Sequence, residues 1–172
     1  MEHNSKIDVT TIGNAIVDII AQCDDNFLEE FKIVKSSMDL IDEERSKTLF
    51  DNLKTTTIVS GGSAANTAVG IASFGSKAAF IGKVKNDELG NTFKNDIERV
   101  GVSFKTPLTN EGPRTASSII LVTPDAERSM NTFLGACVNL DENDVDEDQI
   151  RKSKIVYLEG YLLSLIHISE PT

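Results

Sequence analysis

Gly61-Gly62-Ser63-Ala64-Ala65-Asn66 sets two glycines, a hydroxyl and an amide within six consecutive positions. Glycine has no Cβ, so backbone there can approach a ligand closely. If a helix starts at this point, its first N–H groups lack intrahelical acceptors and face outward toward anything polar or anionic. A second polar pair lies in Gly13-Asn14-Ala15-Ile16-Val17-Asp18. An ionised Asp only accepts hydrogen bonds, whereas Asn both donates and accepts, so Asn14, Asp18 and Asn66 could bracket vicinal hydroxyls, with the glycine-corner N–H groups as a fourth contact. Plainer readings stand beside this one. A Gly-Gly turn before an Ala-rich helix also serves close helix-on-sheet packing, Asn14 suits a turn, and Asp18 suits a sheet edge.

The elements that must position these groups follow from hydrophobic period. Ile7–Ile12 predicts a strand ending at Gly13, and Ile16–Cys23 a second extended segment. Asp24 and Asp25 open a helix over about 26–31, and Ile33–Ile41 alternates with Val34, Ser36, Met38 and Leu40 on one face. Asp42 is a predicted N-cap for a helix to Leu53 that turns Leu49, Phe50 and Leu53 inward. Thr57-Ile58-Val59 reads as a short buried strand feeding the glycine corner, followed by a helix from Ala64 to Phe74 closed by Gly75. Ala78–Val84 predicts a strand, and Asp87–Val100 an amphipathic helix with Leu89, Phe93, Ile97 and Val100 on its apolar stripe. Ser117–Val122 and Ser129–Leu134 flank Pro124-Asp125-Ala126-Glu127 as a hairpin, and Lys154–Leu158 reads as a last buried strand. Alternating strands and helices predict an α/β fold with a parallel sheet covered on both faces. The half-polar segments at 16–23, 33–41 and 115–134 fit a small second sheet instead.

Composition narrows the function. The 172 residues carry 40% hydrophobic and 26% charged residues, ordinary for a globular chain. A net charge of −10, with no basic cluster, argues against a nucleic-acid partner. No apolar stretch is long enough to span a bilayer, and Met1-Glu2-His3-Asn4 does not resemble a signal peptide, so no membrane partner and a cytoplasmic location are expected. The two cysteines, Cys23 and Cys137, read as small core residues in a reducing compartment.

Several catalytic engines are absent: Gly-x-x-x-x-Gly-Lys-Ser/Thr, Gly-x-Gly-x-x-Gly, a paired-His zinc helix and Cys-x-x-Cys. The acidic run Asp141–Asp148 fails as a calcium loop, because a start at Asp144 puts Gln149 where glycine is needed and Ile155 where a bidentate Glu is needed. It reads as a solvated helix start, and no metal site is expected.

Taken in order, Gly13-Asn14 with Asp18, Gly61-Gly62-Ser63-x-x-Asn66-x-Ala68 with Gly75, Phe80-Ile81-Gly82-Lys83-Val84 with Asp87 and Gly90, Arg114-Thr115-Ala116, Arg128-Ser129-Met130-Asn131 and Gly160-Tyr161 form a specific set. It resembles the N-terminal half of the PfkB, or ribokinase-like, carbohydrate kinases, most closely the adenosine kinase branch, over Ile7 to about Leu163. The resemblance implies a truncated three-layer α/β/α fold with a mainly parallel central sheet plus a small β lid. It also implies ATP- and Mg²⁺-dependent phosphoryl transfer to a hydroxymethyl group of a sugar or nucleoside. Substrate binding is implied for Asn14, Asp18, Gly61, Gly62, Ser63 and Asn66. Arg128 falls where adenosine kinase-like members place an arginine near the transferring phosphate, an exposed turn charge being the plain alternative. A lid edge could also pair with another chain, making an oligomer.

Two departures from the family pattern matter. Lys85-Asn86-Asp87 replaces the usual Gly-x-Asp, which puts the loop path in question. The Gly-Ala-Gly-Asp segment that carries the family's catalytic base and anion site is missing, and with it the nucleotide site. Residues 1–163 are therefore expected to be the N-terminal part of a kinase domain, inactive alone and prone to aggregate through exposed apolar edges. Residues 164–172 resemble a non-native tail. A non-catalytic sugar- or nucleoside-binding module is the alternative, and a dinucleotide-binding domain is disfavoured by the absent glycine fingerprint.

Overall fold

A computed structural model describes residues 7–162. The chain runs through β1 (Ile7–Ile12), β2 (Ile16–Gln22), α1 (Asp25–Glu30), β3 (Met38–Leu40), α2 (Glu43–Asp51), β4 (Thr56–Gly61) and α3 (Ser63–Ser73). It continues through β5 (Ala78–Ile81), α4 (Glu88–Arg99), β6 (Ser103–Phe104), β7 (Ala116–Val122), β8 (Arg128–Phe133), α5 (Glu147–Arg151) and β9 (Ser153–Leu158). The strands form a four-stranded parallel sheet, β6-β5-β1-β9, and a five-stranded mixed sheet, β3-β8-β7-β2-β4.

The parallel sheet has a layer on each face. Thr11 donates to the Ala64 carbonyl of α3 at 2.9 Å. Thr10, pointing the opposite way, meets Ser153 at 2.7 Å, and Ser153 in turn donates to the Gln149 carbonyl of α5. Between α3, α4 and the sheet lies a core of Ala64, Ala68, Phe80, Phe93, Ile97 and Phe104. Its three phenylalanines pack with centroids 5.5–5.9 Å apart. A second core, built on Ile19, Leu28, Leu49, Ile119 and Leu121, fills the back of the mixed sheet under α1 and α2.

Four of the five mixed-sheet strands come from the segments expected to form a second sheet, and the strands read at 16–23, 117–122 and 129–134 lie within a residue of β2, β7 and β8 at each end. The fifth is a correction. The strand before the glycine corner does not join the parallel sheet but runs antiparallel to β2 at the edge of the mixed one. Its alternation explains why: Thr57, Val59 and Gly61 take one face, Ile58 and Ser60 the other, and only Ile58 reaches the cores. The Ser60 N–H on the outer edge is satisfied by Asp96 of α4 at 3.1 Å.

Other boundaries shift for local reasons. Positive φ at Lys32 and Ser36 turns the chain, so only Met38–Leu40 of the 33–41 segment pairs, with β8. β5 ends at Ile81 because Gly82 begins the next loop, leaving Val84 buried without strand pairing. Phe50 and Val100, expected inward, are exposed, since the faces of α2 and α4 that pack are carried by Leu49 and by Phe93 with Ile97. Among the described residues β9 pairs with β1 on one side only and is not buried, with Ile155 60% and Leu158 50% exposed. Cys137 is buried and Cys23 half-buried, both as free thiols. Among the described residues no helix is long and apolar enough to cross a membrane. The expected tail at 164–172 lies outside the described residues.

Candidate functional site

The glycine corner is where the two sheets meet. β1 delivers Gly13 and Asn14 at its carboxyl end, and the Gly13 N–H donates to the Ile81 carbonyl at 3.2 Å. A Cβ on Gly13 would overlap the Ala64 side chain, so this glycine lets α3 settle against the loop. Gly62 takes φ +92°, a conformation L side chains avoid, and a Cβ there would strike the Asn14 carbonyl. A Cβ on Gly61 would occupy the position of the Asp18 carboxylate. The glycines thus allow a close packing that brings Asn14, Asp18 and the start of α3 together.

α3 begins at Gly62 without a side-chain cap, its first internal bond running from the Asn66 N–H to the Gly62 carbonyl at 2.8 Å. The next turn presents Ser63 and Asn66, both exposed, while Ala64, Ala65 and Ala68 are buried. The Ser63 hydroxyl donates to Glu159, whose backbone N–H in turn donates to the Ile12 carbonyl at 3.3 Å. Glu159 therefore belongs to the corner, a member that motif spacing missed. As the first residue past β9, it sits where open α/β sheets place ligand groups, and that rule alone could have found it.

Asp18 projects from β2, registered with Val59 of β4 and Ser118 of β7. Ser118 continues the row to Thr132 through a hydroxyl contact of 2.9 Å. Asp18 is half-buried, and among the described residues no group donates to its carboxylate. Burial pushes its pKa above the usual carboxylate value. A desolvated acceptor beside a glycine pair is suited to hydroxyl donors from a ligand. It does not suit phosphate, because Asp18 and Glu159 border the same helix start.

Arg128 stands apart. It registers with Val122 and hence with Gln22, four residues along from the row of Asp18, Ser118 and Thr132, or about 13 Å at ~3.3 Å per residue. It shares their sheet face and is exposed. A cavity of about 510 Å³ lined by Ile19, Ser46, Phe50, Ile58, Leu89 and Arg114 opens on the opposite face of the sheet, away from every one of these groups.

Asp87 and Gly90 are structural. Asp87 caps α4 by accepting from the Gly90 N–H at 2.8 Å, and it also takes the Thr115 N–H at 2.9 Å and hydroxyl at 2.7 Å. A Cβ on Gly90 would collide with the Lys85 carbonyl. Lys85 has no positive φ, pairs with Thr109 and donates its N–H to Thr115, so a residue with a side chain stands at this position without backbone strain.

With this geometry in place, the sequence pattern of the pfkB family carbohydrate kinases matches residues 8–169. The chain belongs to that family. Its two sheets match the ribokinase-like fold of pfkB kinases, as expected from the motif order. An adenosine kinase from Sinorhizobium meliloti is 53% identical, with TM-score 0.84 over 92% of this chain and 49% of that one. A sugar kinase from Rhizobium etli, described as probable, is 49% identical, with TM-score 0.84 over 92% of this chain and 48% of that one. The "Probable fructokinase-6, chloroplastic" of Arabidopsis thaliana is 36% identical over 113 residues, which is 64% of this chain and 28% of the relative. The chain thus spans about half the length of the two solved relatives. The family match runs past Leu163, to residue 169.

Proposed function

We propose that this chain carries the acceptor site of an ATP-dependent pfkB kinase that phosphorylates a hydroxymethyl group of a nucleoside or sugar, adenosine foremost. One observation carries the reading: Asp18, desolvated and without an internal donor, faces the glycine pair, with Asn14 on the adjoining turn and Asn66 on the first turn of the following helix. Vicinal hydroxyls supply the donors that Asp18 lacks, and the two amides accept or donate to the remainder. The preference for adenosine rests on the likeness to the Sinorhizobium meliloti enzyme. The exposed apolar side chains Met38, Leu40 and Val59 on the Asp18 face of the mixed sheet give a purine a surface to cover.

ATP and Mg²⁺ enter this reading through the family. Among the described residues no group of three or more His, Cys, Asp or Glu is placed to hold a metal, and the free helix start is bordered by Asp18 and Glu159. These residues do not fit a polyphosphate, so no step of the transfer is assigned to them. What they do is bind and orient the acceptor.

Isothermal titration of the 172-residue chain with adenosine, ribose and fructose tests the proposal. Saturable binding of adenosine or a sugar, weakened at least tenfold by Asp18→Asn, is the expected result, since loss of one charged hydrogen-bond partner costs about 1.5–3 kcal/mol. No binding of any of the three at millimolar concentration would overturn it. Phosphorylation by the chain alone would refute the assignment of an acceptor site without catalysis.

A further inference from the structure

We propose that Lys83 is a positioning residue for the glycine corner, acting from behind it through Gly82. This rests on the acceptor-site reading above. Lys83 Nζ donates to Asp144 Oδ2 at 2.7 Å and lies 3.7 Å from Asp141 Oδ2. The Lys83 and Asp144 side chains are only 14% and 12% exposed, so salt screens this pair far less than a surface one. The acidic partner is itself fixed: Asp144 Oδ2 also accepts the Asp141 N–H at 2.9 Å, and Asp141 Oδ1 accepts the Asn143 N–H at 2.8 Å.

From Lys83 the contacts run forward without a gap. A Cβ on Gly82 would lie 2.8 Å from the Gly13 carbonyl oxygen and 2.6 Å from the Phe80 ring, so the backbones of Gly82 and Gly13 are pressed together. Gly13 leads into Asn14, whose carbonyl in turn closes on Gly62. The stack Asp144, Lys83, Gly82, Gly13-Asn14, Gly62 leaves no room for a methyl group at any of its three glycines. Close-packed interiors transmit displacement rather than absorb it, so the ion pair sets where Asn14 and the start of α3 stand. Lys83 touches no ligand in this arrangement; it holds the turn that does.

A purely structural role would fasten the acidic segment and nothing else, and hydrogen exchange separates the two. In the ligand-free chain, Lys83→Met is expected to speed amide exchange several-fold in peptides covering 13–18 and 61–66 as well as 141–146. Lys83→Arg should restore wild-type rates. Adenosine affinity should fall about tenfold in Lys83→Met, short of the roughly hundredfold that a ~1 Å misplacement can cost, and recover in Lys83→Arg. If exchange rises at 141–146 alone while 13–18 and 61–66 keep wild-type rates, the proposal is wrong. Asp144→Asn removes the same pair from the other side and gives the same comparison should Lys83→Met not fold. If the wild-type chain binds none of adenosine, ribose and fructose, the acceptor-site reading fails, whereas the exchange pattern in the ligand-free chain still decides the role of Lys83.

Discussion

Ionising Asp18 carries a desolvation cost that no donor among the described residues offsets. Burial raises its folded-state pKa, so between its ordinary value of 3.8 and the raised value the folded chain binds a proton more tightly than the unfolded one. The stability contributed by this group is therefore greatest below 3.8 and falls as pH rises through the raised pKa. Asp18→Asn, which cannot ionise, is expected to melt at a higher temperature than wild type at pH 7, with the gap closing as pH approaches 3.8. Calorimetry across that range checks the sign. Ligand affinity should run the other way, improving as pH rises and the carboxylate becomes a full acceptor. Cys137 gives a second residue-level test. Burial pushes its thiol up to about 12, so a thiol reagent at pH 8 should leave it unmodified until the chain unfolds.

At the scale of elements, Asp87 joins the start of α4 to the start of β7 with three hydrogen bonds on one carboxylate. Asp87→Ala removes the cap and strands the Thr115 N–H, which is expected to cost about 2–4 kcal/mol in urea unfolding. Capping and termination were legible in the sequence: Asp24, Asp42 and Asp87 stand as N-caps at the helix starts read there, and Gly75 closes its helix with positive φ. So was the hairpin of β7 and β8, whose turn residues sit between two alternating runs. The sheet to which β4 belongs was not. Thr57-Ile58-Val59 is too short for its period to tell a strand covered on both faces from one with a single apolar contact, and what decides is the partner, β2, some forty residues earlier. The position of Glu159 could be read from the end of β9, but its link to α3 could not, for a related reason. Its meaning comes from the Ser63 hydroxyl, brought to it only when β9 pairs with β1.

At the scale of the whole molecule, the described residues place β9 at one edge of the parallel sheet. Among the described residues Ile155, Val156, Tyr157 and Leu158 are all exposed, so apolar side chains stand bare on both faces of β9, and its outer backbone edge has no strand partner there. A continuous apolar run of this kind belongs inside a parallel sheet, which is why the sequence reads as a buried strand. Bare edges of that composition pair with other chains. The 172-residue chain is therefore expected to self-associate with rising concentration in sedimentation velocity. Ile155→Lys combined with Tyr157→Lys should return it toward monomer, and a wild-type chain that stays monomeric at high concentration would count against this.

The two sheets are joined by four stretches of chain, from β1 to β2, from β4 through α3 to β5, from β6 to β7 and from β8 to β9. Asn14 lies on the first of these joints and Gly61-Gly62 on the second, while Asp18 and Asn66 sit within a turn or two of them. The groups proposed to hold the ligand are thus mounted at the seams between two bodies. A molecule gripped there acts as a strut, fixing one sheet against the other, and it reports on their spacing as much as on its own shape. Binding should then be read less as filling a hole than as bracing a frame.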